Sequence, residues 1–192
     1  MPVVDGPLGE DVEYLLWVGC AGAYDDRAKR TVRATAELLH IAGVGFAVLG
    51  EGETCTGDPA RRAGNEFLFQ MLAQQNVETL GGVFGTRERK KIIATCPHCF
   101  NTLLNEYPLL GGHYEVLHHT QVLNKLVRGK KLVPVASPSR EAKVPVTYHD
   151  PCFLGRHNKV YEPPRELLES AGVASTEMPR HHDRALCCGA GG

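Results

Sequence analysis

"KKIIATCPHCFNTLLNEYP" at positions 90–108 sets the pattern for the whole chain. Ile92, Ile93 and Ala94 make a short apolar run of strand length, and Cys96 and Cys99 follow at its end. From Phe100 to Tyr107 apolar residues recur at helical spacing until Pro108 stops them. A strand that runs into Cys-x-x-Cys and opens a helix sets both sulfurs on one side of a turn. Backbone N–H groups there favour thiolate.

The same strand–cysteine–helix arrangement recurs on either side. "LLWVGC" (15–20) and "VTYHDPC" (146–152) each place an apolar, β-branched or aromatic run before a cysteine. Helical segments at 30–44 and 164–173 follow them and share the elements "ELL" and "AGV". Leu38, Leu39 and Ile41 in one copy, and Leu167 and Leu168 in the other, are expected to face inward, with Gly43 and Gly172 as helix stops. Cys20 and Cys55 lie 35 positions apart, as do Cys152 and Cys187, although the first cysteine precedes its glycine by 23 residues in one copy and 20 in the other. The compensation in the following loop indicates a duplication in which cysteine separation matters more than the elements between.

Two further segments complete the pattern. Residues 64–80 predict an amphipathic helix with Phe67, Leu68, Met71 and Leu72 on its core face, and residues 113–127 predict a strand and then a helix capped by Thr120. The fold class expected is α/β, with two tandem, pseudo-repeated Rossmann-like βαβ units, mostly parallel sheets and cysteines at strand carboxyl ends, where such folds keep their sites. The first repeat spans 1–128, a linker rich in Pro, Ser and charge spans 129–145, and a second, truncated repeat spans 146–192.

Composition narrows the chemistry. A formal net charge of −1 without a Lys/Arg run argues against nucleic acid as partner. No segment approaches the roughly 18 uninterrupted apolar residues of a membrane span, and the start lacks the layout of a secretion signal, so a cytoplasmic location is expected. Seven cysteines, an odd number in a chain with no sign of export, favour metal or redox use over a disulfide framework. No Gly-x-Gly-x-x-Gly follows a strand and no phosphate loop is present, so any flavin must come from a partner.

Cys20, Cys55, Cys96 and Cys99 are four thiols from three loops, a donor set that suits either a tetrahedral zinc or an iron–sulfur cluster. Structural zinc sites commonly use two close pairs. Here one pair is joined by single cysteines 41 and 76 residues upstream, which fits a larger body better and leaves both open. A structural zinc-binding interaction domain is therefore the alternative. Thiol–disulfide chemistry at Cys187 and Cys188, or at Cys96 and Cys99, is a third; vicinal cysteines close a strained ring poorly, and only His98 accompanies the other pair.

The combination of "ETCTGDPARRAGNEFLFQMLAQQNVETL" (53–80), "TCPHCFNTLLNEYP" (95–108), "YHDPC" (148–152) and "CCGAGG" (187–192) resembles the cysteine-rich CCG-domain family of iron–sulfur oxidoreductases. That family includes the heterodisulfide reductase B subunit and iron–sulfur subunits of glycolate, lactate and glycerol-3-phosphate oxidation. The likeness runs from about Tyr14 to Gly192 and is greatest to the membrane-linked branch that works with electron-transfer flavoprotein. The resemblance implies an iron–sulfur electron-transfer part of an oxidoreductase, taking electrons from a flavoprotein and passing them towards quinone. It implies Cys20, Cys55, Cys96 and Cys99 as ligands of a first cluster. Because Thr56 stands where the family has a second doublet cysteine, the cluster expected there is an ordinary [4Fe–4S] cubane.

Cys152, Cys187 and Cys188 match the second repeat, whose Cys-x-x-Cys is expected roughly 40 residues past Gly192, by the spacing of the first copy. A second cluster is expected only with that part present. On the same resemblance the chain is a fragment, and ferredoxin-like and membrane segments elsewhere would bring it to the cytoplasmic face of a membrane. His98 is a candidate for tuning the first site, and His149 and Asp150 for fixing the backbone of the second, Asp150 capping a turn entered by Pro151. His118 and His119 are expected as a structural pair near the first site. His181 and His182, and Arg61 and Arg62, are expected to be solvated.

Overall fold

The computed structural model describes residues 1–135 and 146–189. Short apolar runs form four strands: β1 (Tyr14–Trp17), β2 (Phe46–Ala47), β3 (Lys91–Ala94) and β4 (Glu115–His118). They make one parallel sheet in the order β2-β1-β3-β4, with Leu15 beside Ile92, Trp17 beside Ala94 and Ile92 beside Val116. Such runs are apolar throughout because both faces of a parallel sheet are covered. Leu15, Trp17, Ile92 and Val116 pack on Phe69, Ala73 and Leu80 of α4 (Glu66–Phe84). Tyr14, Leu16 and Ile93 pack on Val32, Ala36 and Leu39 of α2 (Asp26–Ile41) and on Val122, Leu123 and Leu126 of α6 (His119–Arg128). The result is the expected α/β layering, and it sends three strand ends towards cysteines.

α1 (Gly19–Tyr24) begins immediately after β1 and carries Cys20. α3 (Asp58–Arg62) follows Cys55, and α5 (Pro97–Asn101) follows Cys96. After α5 the backbone widens through a π turn at Thr102–Glu106 and ends in a 3-10 turn at Tyr107–Leu110. Asp25 caps α2 by accepting from the Arg27 and Ala28 N–H groups at 3.0 and 2.8 Å, and Asn65 caps α4 by accepting from Leu68. Gly43 and Gly172 adopt the left-handed conformation expected of helix stops.

Several helix faces differ from the sequence expectation. Phe67 is 78% and Met71 53% exposed, and Leu68 is exposed with them; the buried face of α4 is instead Phe69, Ala73, Asn76, Leu80 and Val83. The segment is apolar on more than one side, so its periodicity left the phase undetermined. In α2, Leu39 is buried, whereas Ile41 is 70% exposed and Leu38 lies at the surface. The cap of α6 is His118, one of whose ring nitrogens meets the Thr120 hydroxyl at 2.7 Å, rather than Thr120 itself.

The second unit contributes α7 (Glu162–Ser170), which packs against α6 with Leu167 against the core and Glu166 accepting from Asn124 at 2.7 Å. The strand expected at 146–152 forms one parallel bridge, Val146 to Ser175. Phe153, Leu154 and Val160 are buried, the last two inside the core of the first unit. Most of the linker, at 136–145, and Ala190 to Gly192 lie outside the described residues. No helix among the described residues is long and apolar enough to cross a membrane.

Candidate metal centre

The carboxyl ends of β1, β2 and β3 lead into the loops that hold Cys20, Cys55, Cys96 and Cys99. Cys20 is exposed, Cys55 and Cys96 are half-buried, and Cys99 is buried. Adjacent elements aim donors at these sulfurs. The Gly57 N–H approaches Cys55 Sγ at 3.4 Å, and the Thr56 hydroxyl donates to Cys99 Sγ at 3.8 Å. A hydrogen bond from Cys99, assisted by the N–H groups of Cys99 and His98, holds the Cys96 thiol well below its ordinary pKa. The same proton raises Cys99, so the pair favours one thiolate before any ion arrives.

The charges of Cys20 and Cys96 add to burial in raising the Cys55 thiol, and to the Cys96 hydrogen bond and burial in raising the Cys99 thiol. The four sulfurs are not bunched: among the described residues, no three cysteine sulfurs lie within 4.8 Å of one another. Four sulfurs on one zinc at about 2.3 Å would be about 3.8 Å apart. The sulfurs as they stand are therefore not in the arrangement of a closed single-ion site.

Two carboxylates, the half-buried Glu53 and the buried Asp58, organise the loops. Glu53 accepts from the N–H groups of Val18 at 2.9 Å and Gly19 at 2.5 Å and so ties the Cys20 turn to the segment before Cys55. Burial pushes the Glu53 carboxyl up to about 7 against those two bonds. Gly19 has φ +74°, the left-handed region that favours glycine, and a Cβ there would lie in ordinary contact with Cys99 Sγ at 3.6 Å, so the Cys20 and Cys99 loops run side by side. Asp58, 2% exposed, accepts from His98 Nδ1 at 2.7 Å and from the Thr102 hydroxyl at 3.3 Å, and pairs with Arg62 Nε at 3.2 Å. The bond to His98, ahead of the opposing effect of burial, raises the pKa of that histidine.

Arg61 and Arg62, expected at a solvated face, are instead half-buried and clamp Glu106 at 2.7–2.8 Å. Nothing local announces this, because Glu106 lies 44 and 45 residues downstream. His118 is buried, with Thr95 O at 3.2 Å from its other ring nitrogen; burial lowers it to about 3 and His119 to about 4. The two histidines are the structural pair expected, with His119 Nδ1 lacking a hydrogen-bond partner among the described residues.

The second cysteine set is more open. Cys187 and Cys188 are exposed and line, with the exposed His149, Met178 and Leu186, a cleft of about 580 Å³. Cys152 is half-buried on the turn at 151–158, outside that lining. Asp150 does more than cap a turn: it is buried and takes two bonds from Arg165, at 2.8 and 2.9 Å, and one from the His182 N–H at 2.6 Å. Burial pushes its carboxyl up, but these donors outweigh that and lower it. The turn is bolted to the first site: Phe153 packs edge-on against His98 with centroids 4.6 Å apart, and Asn158 bonds Asn101 and Asn105 at 3.0 and 2.8 Å.

The chain is similar to known proteins along nearly its whole length. The chain is 50% identical over 184 residues to EtfAB:quinone oxidoreductase of Syntrophomonas wolfei, with 96% of this chain and 25% of the relative covered. It is 48% identical over 185 residues to the probable iron-sulfur-binding oxidoreductase FadF of Bacillus subtilis, with 96% and 25% covered. A component of the dihydromethanophenazine:CoB–CoM heterodisulfide reductase of Methanosarcina barkeri is 34% identical over 195 residues, with 98% and 45% covered. The chain thus spans about a quarter of the length of the first two relatives. The model of the CCG cysteine-rich domain matches residues 14–104 and 146–192, the two cysteine-bearing units described above, and the chain belongs to that family.

Proposed function

We propose that this chain is the iron–sulfur part of an oxidoreductase that passes electrons from a flavoprotein, such as electron-transfer flavoprotein, to an acceptor such as quinone. What supports the reading is that the loops after β1, β2 and β3, neighbours in one parallel sheet, carry Cys20, Cys55, Cys96 and Cys99. These four residues would hold a [4Fe–4S] cluster, and Cys152, Cys187 and Cys188 would contribute to a second. When bound, such a cluster accepts and releases electrons at a potential set by its hydrogen bonds and exposure.

The chain's own groups prepare for that role. Gly57 N–H and the Thr56 hydroxyl point at ligand sulfurs and would lessen their negative charge. Glu53 and Asp58 fix the loops on either side. Cys20 lies at the surface, leaving one edge of the site open to a partner. Names of the relatives, which include EtfAB:quinone oxidoreductase, support the flavoprotein and quinone assignments. Membrane and ferredoxin-like segments would belong to other parts of the whole protein.

Anaerobically prepared protein is expected to be brown and to hold iron and acid-labile sulfide in near-stoichiometric amounts. Serine at Cys96 should remove most of that iron. Colourless protein without iron after reconstitution, or protein with stoichiometric zinc and no reconstitutable cluster, would overturn the proposal in favour of a zinc-bound scaffold. Reduction of the loaded full-length protein by reduced electron-transfer flavoprotein tests the donor.

A further inference from the structure

The second unit contains a polar cluster in which no cysteine takes part. Glu177, His181 and His182 each present a ligand atom, and these atoms all lie within 4.8 Å of one another. Far from being freely solvated, both histidines are half-buried, and their Nδ1 atoms face each other at 2.5 Å. We propose that Glu177, His181 and His182 form a binding site for a divalent transition-metal ion of the zinc class, separate from both cysteine sets.

The donor types suit such an ion, since imidazole and carboxylate bind zinc at about 2.0–2.2 Å and three protein ligands leave room for water. The surroundings have the form expected around metal ligands. A ligating histidine uses one ring nitrogen for the ion and gives the other to a carboxylate, which fixes ring and tautomer. His182 meets this description: Nδ1 turns to His181, while Nε2 faces Glu162 Oε1 at 3.4 Å. Arg165 holds both oxygens of Glu177, at 2.5 and 3.0 Å, and each oxygen keeps a lone pair for an ion. The charge of Arg165 is offset by Asp150, which the same guanidinium contacts twice.

Backbone conformation adds an independent indication. His182 has φ +56°, a left-handed conformation that a non-glycine residue adopts at a cost, and the buried Asp150 holds it there by accepting its N–H. An ion between the rings would join the start of α7 to the segment that leads into Cys187 and Cys188.

The test uses the anaerobically reconstituted protein titrated with Zn²⁺, with bound zinc and iron counted after removal of free metal. Wild type is expected to take one zinc in addition to its iron. The double variant His181→Ala/His182→Ala should lose that zinc while keeping its iron, and Glu177→Gln should bind it about tenfold more weakly. Cys187→Ser/Cys188→Ser should retain it. ¹¹³Cd²⁺ in place of zinc should resonate in the nitrogen/oxygen range and not in the sulfur range. Zinc uptake unchanged in both the histidine and glutamate variants, its loss in the cysteine variant, or a sulfur-type cadmium signal would each overturn the proposal. Iron content reports separately on the cluster reading, so the two fail independently.

Discussion

Replacing Asp58 by alanine should be among the most damaging single changes near the cysteine loops. The carboxylate is buried, accepts from His98 and Thr102, and pairs with Arg62, so it joins α3, which follows Cys55, to α5 and the turn after it. Removing one partner of a buried charged pair costs about 3–5 kcal/mol. Arg62 keeps Glu106 at 2.7 Å, so its guanidinium is not orphaned, and the low end, about 3 kcal/mol, is expected. Asp26 gives the contrast: it pairs with Lys29 at 3.3 Å but is 94% exposed, and Asp26→Asn should change stability by less than about 0.5 kcal/mol. Urea unfolding of the reduced, metal-free chain reads both variants through Trp17, the single tryptophan, 1% exposed at the end of the strand that leads to Cys20. A loss below about 1 kcal/mol for Asp58→Ala, or one equal to that of Asp26→Asn, would refute the assignment of Asp58 as the tie between the loops.

Glu53→Ala leaves the Val18 and Gly19 N–H groups without their acceptor and should cost about 2 kcal/mol; Glu53→Gln keeps one acceptor oxygen and should lose about half as much in the same unfolding assay. Gly57 has φ +85° and a Cβ there would lie 3.0 Å from Phe69 Cδ2 and 3.1 Å from Phe69 O, whereas Gly43 at φ +67° faces open space. Alanine should therefore cost about 1 kcal/mol at Gly43 and about 2–4 kcal/mol at Gly57, and equal losses would remove crowding as the cause. Burial keeps His118 and His119 neutral in the fold, with pKa values near 3 and 4, while in the unfolded chain they titrate near 6.5. Unfolded protein then binds protons that folded protein does not, so this stability is whole above pH 6.5 and is lost as pH falls towards the folded values. At pH 5.5 the loss is up to about 1.4 kcal/mol per histidine, and a His118→Gln/His119→Gln variant should show a flatter profile between pH 7.5 and 5.5.

The parallel sheet was legible because strands buried on both faces are written as short continuous apolar runs, and Leu15, Leu16, Ile92 and Ile93 need no partner to be recognised. Cys20 and Cys96 were legible for the same reason, each following such a run. Burial within α4 was not, since the decisive contact is remote: Asn76 turns inward to donate to Cys55 O at 2.9 Å and Tyr107 Oη at 3.0 Å. A polar residue in the core stripe, beside apolar residues on the other side, sets a phase that periodicity misreads. The Arg61, Arg62 and Glu106 clamp was hidden too, because a charge run says nothing of a partner that folding brings from afar. The run at 146–152 lacked a neighbour to pair with beyond Ser175, and an apolar strand pattern by itself makes no ladder.

The two cysteine-bearing segments contribute unequally to the fold, and packing shows how. Among the described residues the first unit supplies all four strands and most of both core clusters, whereas the second inserts Leu154 and Val160 into the first unit's core and lays α7 on α6. A segment of that kind borrows its hydrophobic burial, so its cysteine turn can be ordered without a sheet of its own. The turn is held where it matters: Phe153 sits beside Cys152 in sequence and against His98 in space, and Arg62 lies over the same ring at 5.4 Å. Asp58 holds His98 and Arg62 together, so one buried carboxylate orders the first cysteine loops and also shapes the surface on which the second cysteine turn rests. Disturbance of either site should therefore be felt at the other through His98 and Phe153, as expected of residues in direct contact.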